Sequence, residues 1–354
     1  MPDIALDDDA LVELAEQLRG VEPGGWTEEG ARGLAAALGW EPAGDGAPNR
    51  LPTGLPTGEA RLHPVDEFAE DYTSGERHLG LYVPVALVDG GAPAKADAFA
   101  RAARVLTAKL GTAPIMGSYG DVGPFYDSTA LWGAPFLRWR GWPDSLELRA
   151  GDGGPELLLH PSDPVENWHW RQGHGEVYAL SGFFGTRPDS ANDGLGIPGG
   201  WTTGDWDVFT SALGGFLGCL AAETRALGIE LSLGIHGRIP GTYGPWVFHI
   251  ASARTLELAF YEVDVDTSAL DMAALGWISA AEAPAAMDHL RDISHHTGVS
   301  APGEADGRAL ARTLVETAKA LGIPSPRDLS LIDHCQKVAG YRVDYYGLTL
   351  RENP

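Results

Sequence analysis

The first regular pattern along the chain is helical. In Ala10-Leu-Val-Glu-Leu-Ala-Glu-Gln-Leu-Arg19 the apolar positions Leu11, Leu14, Ala15 and Leu18 share one face. Asp7-Asp8-Asp9 stands at its start and Gly20 at its stop, as the helix dipole and its termination require. Thr27, followed by Glu28-Glu29, predicts a second helix that runs to Leu38. The same spacing predicts helices from Lys95 to Leu110, from Trp206 to Leu227 behind an Asp205 cap, over about 281–295, and from Asp306 to Leu321. Between them lie strand-like runs: His78–Val88, Ile229–His236, Trp246–Ile250, Arg254–Asp264 and Tyr341–Leu350. Ser145–Arg149 and Glu156–His160 flank Gly151-Asp-Gly-Gly154, a hairpin signal, with Arg138-Trp-Arg140 just ahead of them.

This order predicts an α+β fold of two αβ units, each an antiparallel sheet flanked by helices. The boundaries expected are 1–165 for the first unit and 205–354 for the second. Residues 166–204, rich in Trp, His and Gly, read as an irregular connection. Unpatterned sequence of that length inside a compact protein points to function or to a packed linker.

Charge narrows the choice of partners. Asp and Glu number 49 against 25 Lys and Arg, a formal net charge of −24 over 354 residues. A field of that sign repels phosphate backbones and anionic lipid and draws in cationic partners. Nucleic acid and membrane are therefore disfavoured as partners, and a basic protein is favoured. No apolar run is long enough to span a bilayer and no signal-peptide pattern opens the chain, so a cytoplasmic location is the expectation. Two cysteines, Cys219 and Cys335, make neither a disulfide framework nor a cysteine-rich zinc site, and Cys219 reads as a buried small hydrophobe.

The candidate chemistry is concentrated in Glu156–Glu176. Trp168 and Trp170 alternate with His169, and the acids Asp163, Glu166 and Glu176 flank them. Exposed tryptophan with carboxylates suits a macromolecular contact, so these five residues are the expected partner-binding set. Trp139 and Trp206, in contrast, read as core. The alternative is chemical. His160, His169, His174 and Glu176 offer imidazole and carboxylate to one divalent metal ion, which would support a hydrolase or oxygenase. The spacing matches neither His-Glu-x-x-His nor a His-x-His barrel pattern. Elsewhere, Gly117-Ser-Tyr-Gly120 is no nucleophile elbow, Gly194–Gly199 follows no strand, and His295-His296 reads as a partner for a helix C-terminus. A tryptophan-lined glycan binder is a third reading.

The order helix, helix, strand, helix, followed by Arg138-Trp-Arg140, Leu146-Glu-Leu-Arg149 and Leu157-Leu-Leu-His-Pro-Ser-Asp163, resembles an actinobacterial immunity-protein-like family of unassigned function. More loosely, it is similar to type III secretion chaperone/YbjN-like domains. The resemblance covers about residues 10–165 and implies a binding protein that needs no cofactor. It transfers no functional residue. The expectation is thus an acidic protein-binding module that masks a basic protein partner.

Overall fold

The computed structural model describes residues 3–41, 49–67, 69–118, 130–173, 184–188, 203–237, 246–261, 267–282, 294–331, 337–338, 341–344 and 351–352. Helix α1 (Asp8–Gly20) begins where Asp7 Oδ1 accepts the Ala10 amide at 2.8 Å, and it buries Leu11, Leu14, Ala15 and Leu18. The Thr27 hydroxyl caps α2 (Glu28–Ala37) by accepting from the Gly30 amide. Helix α3 (Ala92–Leu110) carries proline in its first turn, where a missing N–H costs nothing, and buries Phe99, Ala103 and Leu106. Helix α5 (Trp206–Leu227) starts at Asp205 and stops at Gly228 in the left-handed region; α6 (Gly307–Ala320) starts at Asp306. These local signals were all legible in the sequence.

Among the described residues the strands form an α+β architecture with a two-stranded, a ten-stranded and a seven-stranded sheet. Pairing is antiparallel apart from Leu329–Leu331 beside Arg351–Glu352. The centre of the ten-stranded sheet is the hairpin Asp144–Gly151 with Gly154–Pro161, flanked by Pro135–Trp139 on one side and His78–Pro84 on the other. The seven-stranded sheet is built on the meander Leu231–Gly237, Trp246–Ser252 and Leu256–Tyr261.

Helices α1 and α3 pack on one face of the ten-stranded sheet, and α5 touches both sheets as well as α3 and α6. A large apolar core results, running from Leu6 through Leu148, Phe216 and Phe248 to Val343, and a smaller one gathers Tyr72, Leu79, Tyr82, Phe136, Leu158 and Val165. The strand Tyr341–Asp344 returns to the ten-stranded sheet and pairs with Phe184–Pro188, although the residues between them supply most of the seven-stranded sheet. The α5–α6 crossing is close because it is made of glycine. A Cβ on Gly307 would lie 2.1 Å from the Gly214 carbonyl oxygen and 2.4 Å from the Gly218 nitrogen.

Several sequence expectations are corrected. The connection 166–204, read as irregular, begins within helix α4 (Ser162–Gly173) and contains the strand Phe184–Pro188. Pro164 lies in the first turn of α4, where proline breaks no hydrogen bond. The helix expected over about 281–295 does not hold at its limits: Ala280–Glu282 is a 3₁₀ turn and His295–Ser300 is a strand between Leu256–Tyr261 and Ile278–Ser279. His295 and His296 therefore cap no helix. Trp139 is buried as expected, whereas Trp206 is half-buried, with the Lys319 ammonium 5.6 Å over its ring. Cys219 is half-buried rather than fully enclosed.

Candidate functional site

Strand alternation puts a polar row on the face of the ten-stranded sheet opposite α1 and α3. Leu146, Leu148, Leu157 and Leu159 enter the core, so Glu147, Arg149, Glu156 and His160 point the other way. Register sets Arg138 directly across from Glu147, and Arg138 Nε donates to Glu147 Oε2 at 2.7 Å with both side chains buried. His160 is buried too. Its Nδ1 lies 2.9 Å from the Pro161 carbonyl, which can only accept, so Nδ1 carries the proton. Nε2 then faces Glu147 Oε2 at 3.4 Å, an ion-pair distance without hydrogen-bond geometry. Burial pushes the Glu147 carboxyl up, but the Arg138 guanidinium and the His160 ring outweigh it and hold it at about 2.

That arrangement bears on the metal reading. His160 shares its carboxylate with a buried guanidinium, which repels a cation at the same oxygen. His169 lies on α4 but its side chain is outside the described residues, as are His174 and Glu176. Among the described residues no group of three or more His, Cys, Asp or Glu is arranged to hold a metal ion.

The expected partner-binding residues divide similarly. Trp168 and Trp170 are on α4, with side chains outside the described set. Glu166 is engaged at home: Arg140 donates to its two oxygens through Nε at 2.6 Å and Nη2 at 2.9 Å. Asp163 is exposed in the first turn of α4 and faces a cleft of about 730 Å³.

This cleft is the candidate site. One wall is the C-terminal end of α1 and the turn after it, from Leu18 to Trp26. The opposite wall is the Gly141–Asp144 turn between strands, backed by the start of α4. Two serines fix that wall. Ser162 Oγ donates to the Gly141 carbonyl at 2.8 Å and meets Ser145 Oγ at 2.6 Å, while the Ser162 amide donates to the Pro143 carbonyl. The floor is apolar, from Leu18, Trp139, Leu146 and Leu159.

Trp26 joins the two walls. It is buried, its backbone φ is +57°, and its indole Nε1 donates to Asp144 Oδ1 at 2.6 Å. A left-handed conformation at tryptophan is costly and persists where packing and hydrogen bonding over-determine it. The turn also lies tightly on α2: a Cβ on Gly30 would meet the Pro23 carbonyl oxygen at 2.2 Å. At the rim Trp142 is 74% exposed, an unusual position for the largest side chain.

The electrostatics are one-sided. Glu22, Glu76, Asp144 and Asp163 line the cleft against Arg19. Burial holds the Asp144 carboxyl above its ordinary value, against the opposing hydrogen bond from Trp26 and the nearby His160. Asp163 forms no hydrogen bond or ion pair with the described residues, which leaves its charge facing the cleft.

Sequence reading found Asp163 but missed Trp26, Trp142, Asp144, Glu22 and Glu76. One signal was available, a tryptophan in the turn Gly141-Trp-Pro-Asp144 between two strands, where a core role is excluded. Nothing in the linear sequence ties that turn to residues 18–26. Among the described residues no helix is long and apolar enough to cross a membrane. No family model matches the chain, and neither a curated protein nor a solved structure matches it.

Proposed function

We propose that this chain is a protein-binding module whose acidic, tryptophan-rimmed cleft takes a basic segment of a partner protein and masks it, in the manner of an immunity protein or a dedicated chaperone. The observation that carries the reading is the cleft itself: four carboxylates and exposed Trp142 around an apolar floor, opposed by one guanidinium. A Lys or Arg side chain entering there keeps its charge near Asp163 and Glu22, lays its methylenes on Leu146 and Leu159, and stacks on Trp142. Cation–π contact of this kind contributes about 0.5–2 kcal/mol. The net charge of −24 adds long-range steering, so encounter with a basic surface is fast and salt-sensitive. Such a module needs no cofactor.

Fluorescently labelled oligo-arginine and oligo-lysine peptides test the reading in fluorescence-anisotropy titrations. Trp142→Ala, Asp163→Asn and Glu22→Gln should each weaken binding, and affinity should fall steeply with added salt. Asp207→Asn and Glu316→Gln, which remove acids remote from the cleft, should leave it nearly unchanged. Equal losses from the remote and the cleft substitutions would reduce the effect to bulk charge and refute the assignment. Salt-insensitive quenching of Trp142 by a neutral oligosaccharide would refute it too.

A further inference from the structure

The turn that forms one wall of the acidic cleft is held from two sides, and one of its holders can change charge. Trp26 closes that turn, with its indole tied to Asp144 on the opposite wall. Its carbonyl is tied to the strand His78–Pro84 and the residue before it, accepting from the Arg77 amide at 2.9 Å and from the His78 ring. A tryptophan at φ +57° does not keep that conformation unaided, so these contacts hold the turn in place.

His78 is 3% exposed, and its Nδ1 is buried with no hydrogen-bond partner among the described residues. The donor to Trp26 is therefore Nε2, and the neutral ring suits the site. A second proton, on Nδ1, would be enclosed with no acceptor and would bring a charge into a buried position. Burial accordingly lowers the pKa of His78 from its ordinary 6.5, against two smaller influences that raise it, the Glu28 carboxylate and the hydrogen bond to Trp26. Glu28 stands in the exposed first turn of α2, while the strand neighbour paired with His78 is Pro64, which carries no charge. On the far side of the indole, Asp144 has His160 near it and shares the cleft with Glu22, Glu76, Asp163 and Arg19.

We propose that His78 is an acid-sensitive latch on the cleft: protonation of its ring breaks the contact with the Trp26 carbonyl, frees the turn from Val21 to Trp26, and weakens the hold on a bound basic segment. The effect on a bound segment rests on the function proposed above; the opening of the turn does not. A histidine buried in the neutral form contributes stability that is full above 6.5 and lost as pH falls below it. In the opened turn the ring regains its ordinary affinity for a proton, so at pH 5.5 the ratio of closed to open turn falls by up to about tenfold.

Hydrogen–deuterium exchange at the Trp26 and Arg77 amides, both bonded in the closed turn, tests this at pH 7.5 and 5.5, with protection factors corrected for the acid dependence of chemical exchange. Wild type should lose protection there by about tenfold at pH 5.5 while the amides within α1 keep theirs. His78→Gln, whose amide can donate to Trp26 but cannot take up a charge, should lose none. Glu28→Gln withdraws the charge that favours protonation in place, so it should deepen the loss, and it decides the matter if His78→Gln fails to fold. No loss in wild type, an equal loss in His78→Gln, or a smaller loss in Glu28→Gln overturns the proposal. At constant ionic strength, oligo-arginine affinity should fall between the same two pH values in wild type more than in His78→Gln. An equal fall in both proteins overturns control of the cleft by His78. Oligo-arginine binding at neither pH, with the turn opening as stated, sinks the functional assignment and leaves the latch standing.

Discussion

Glu223→Gln should stabilise this protein at neutral pH and remove part of its pH dependence. Glu223 is buried on α5 against the ten-stranded sheet. Its Oε1 accepts from Ser118 Oγ at 2.5 Å and from the Ala134 amide at 3.1 Å, while Oε2 is buried with no hydrogen-bond partner among the described residues. Burial pushes its carboxyl up from 4.5 to about 7, against the two hydrogen bonds that favour the ionised form. A carboxyl with a raised native pKa holds its proton more tightly when folded. Stability is therefore full below pH 4.5, declines as pH rises from there through 7, and levels off above it. At about 1.4 kcal/mol per unit the ionisation costs roughly 3 kcal/mol at pH 8.

Glutamine keeps the acceptor for Ser118 and Ala134 and places an uncharged NH₂ where Oε2 stood. The variant should match wild type at pH 4.5 and exceed it by about 3 kcal/mol at pH 8. With an unfolding entropy of about 2.1 cal/mol/K per residue over 354 residues, that is a rise in Tm of about 4 °C. Scanning calorimetry or urea unfolding of both proteins across that range measures it, and the difference between them cancels the other titrating groups. Parallel curves would refute the account, since the charged form would then cost nothing in its native setting.

Glu147→Gln should act in the opposite direction. It removes the counter-charge of buried Arg138, so a loss of about 3–5 kcal/mol in urea unfolding is expected at pH 7. Because the native carboxyl sits at about 2, that contribution is present above the ordinary 4.5 and lost as pH falls through 2. Gly307→Ala should destabilise by about 1–3 kcal/mol, because the added Cβ meets backbone atoms of α5 that cannot move aside singly; a thermal melt no different from wild type would show that α5 and α6 are not in this contact. Burial, with the Glu223 charge adding to it, pushes the Cys219 thiol up to about 12, leaving about one thiolate in 10,000 at pH 8. Iodoacetamide should therefore leave Cys219 unmodified in the native protein, as peptide mass mapping would reveal.

The acidic cleft lies at one end of the central hairpin, and the alternation of side chains along that hairpin gives it two different faces. Leu146 and Leu159 reach the floor of the cleft from the core face, whereas Arg149 and Glu156 pair with each other on the opposite face. Between them the buried Arg138–Glu147 pair, with His160 beside it, ties three adjacent strands together.

What the sequence by itself determined is whatever depends on neighbours along the chain. Asp7, Thr27, Asp205 and Asp306 cap helices through amides two or three residues away, Gly228 ends α5 because glycine tolerates a left-handed backbone, and Gly151-Asp-Gly-Gly154 turns a hairpin. In Ser145–Arg149 the alternation of Leu146 and Leu148 with Glu147 and Arg149 separated an apolar face from a polar one. Tertiary structure alone decided the rest. Ser118 and Glu223 are 105 residues apart, and Trp26 and Asp144 are 118 apart, so no local pattern links them. His295–Ser300 became a strand because it lies between two strand partners. The cleft unites an α1 terminus, an inter-strand turn and the start of α4, and its charge is a sum over residues that meet only once the apolar faces are buried against one another. Helical and strand periods record which side of an element avoids water; they do not record which other element covers it.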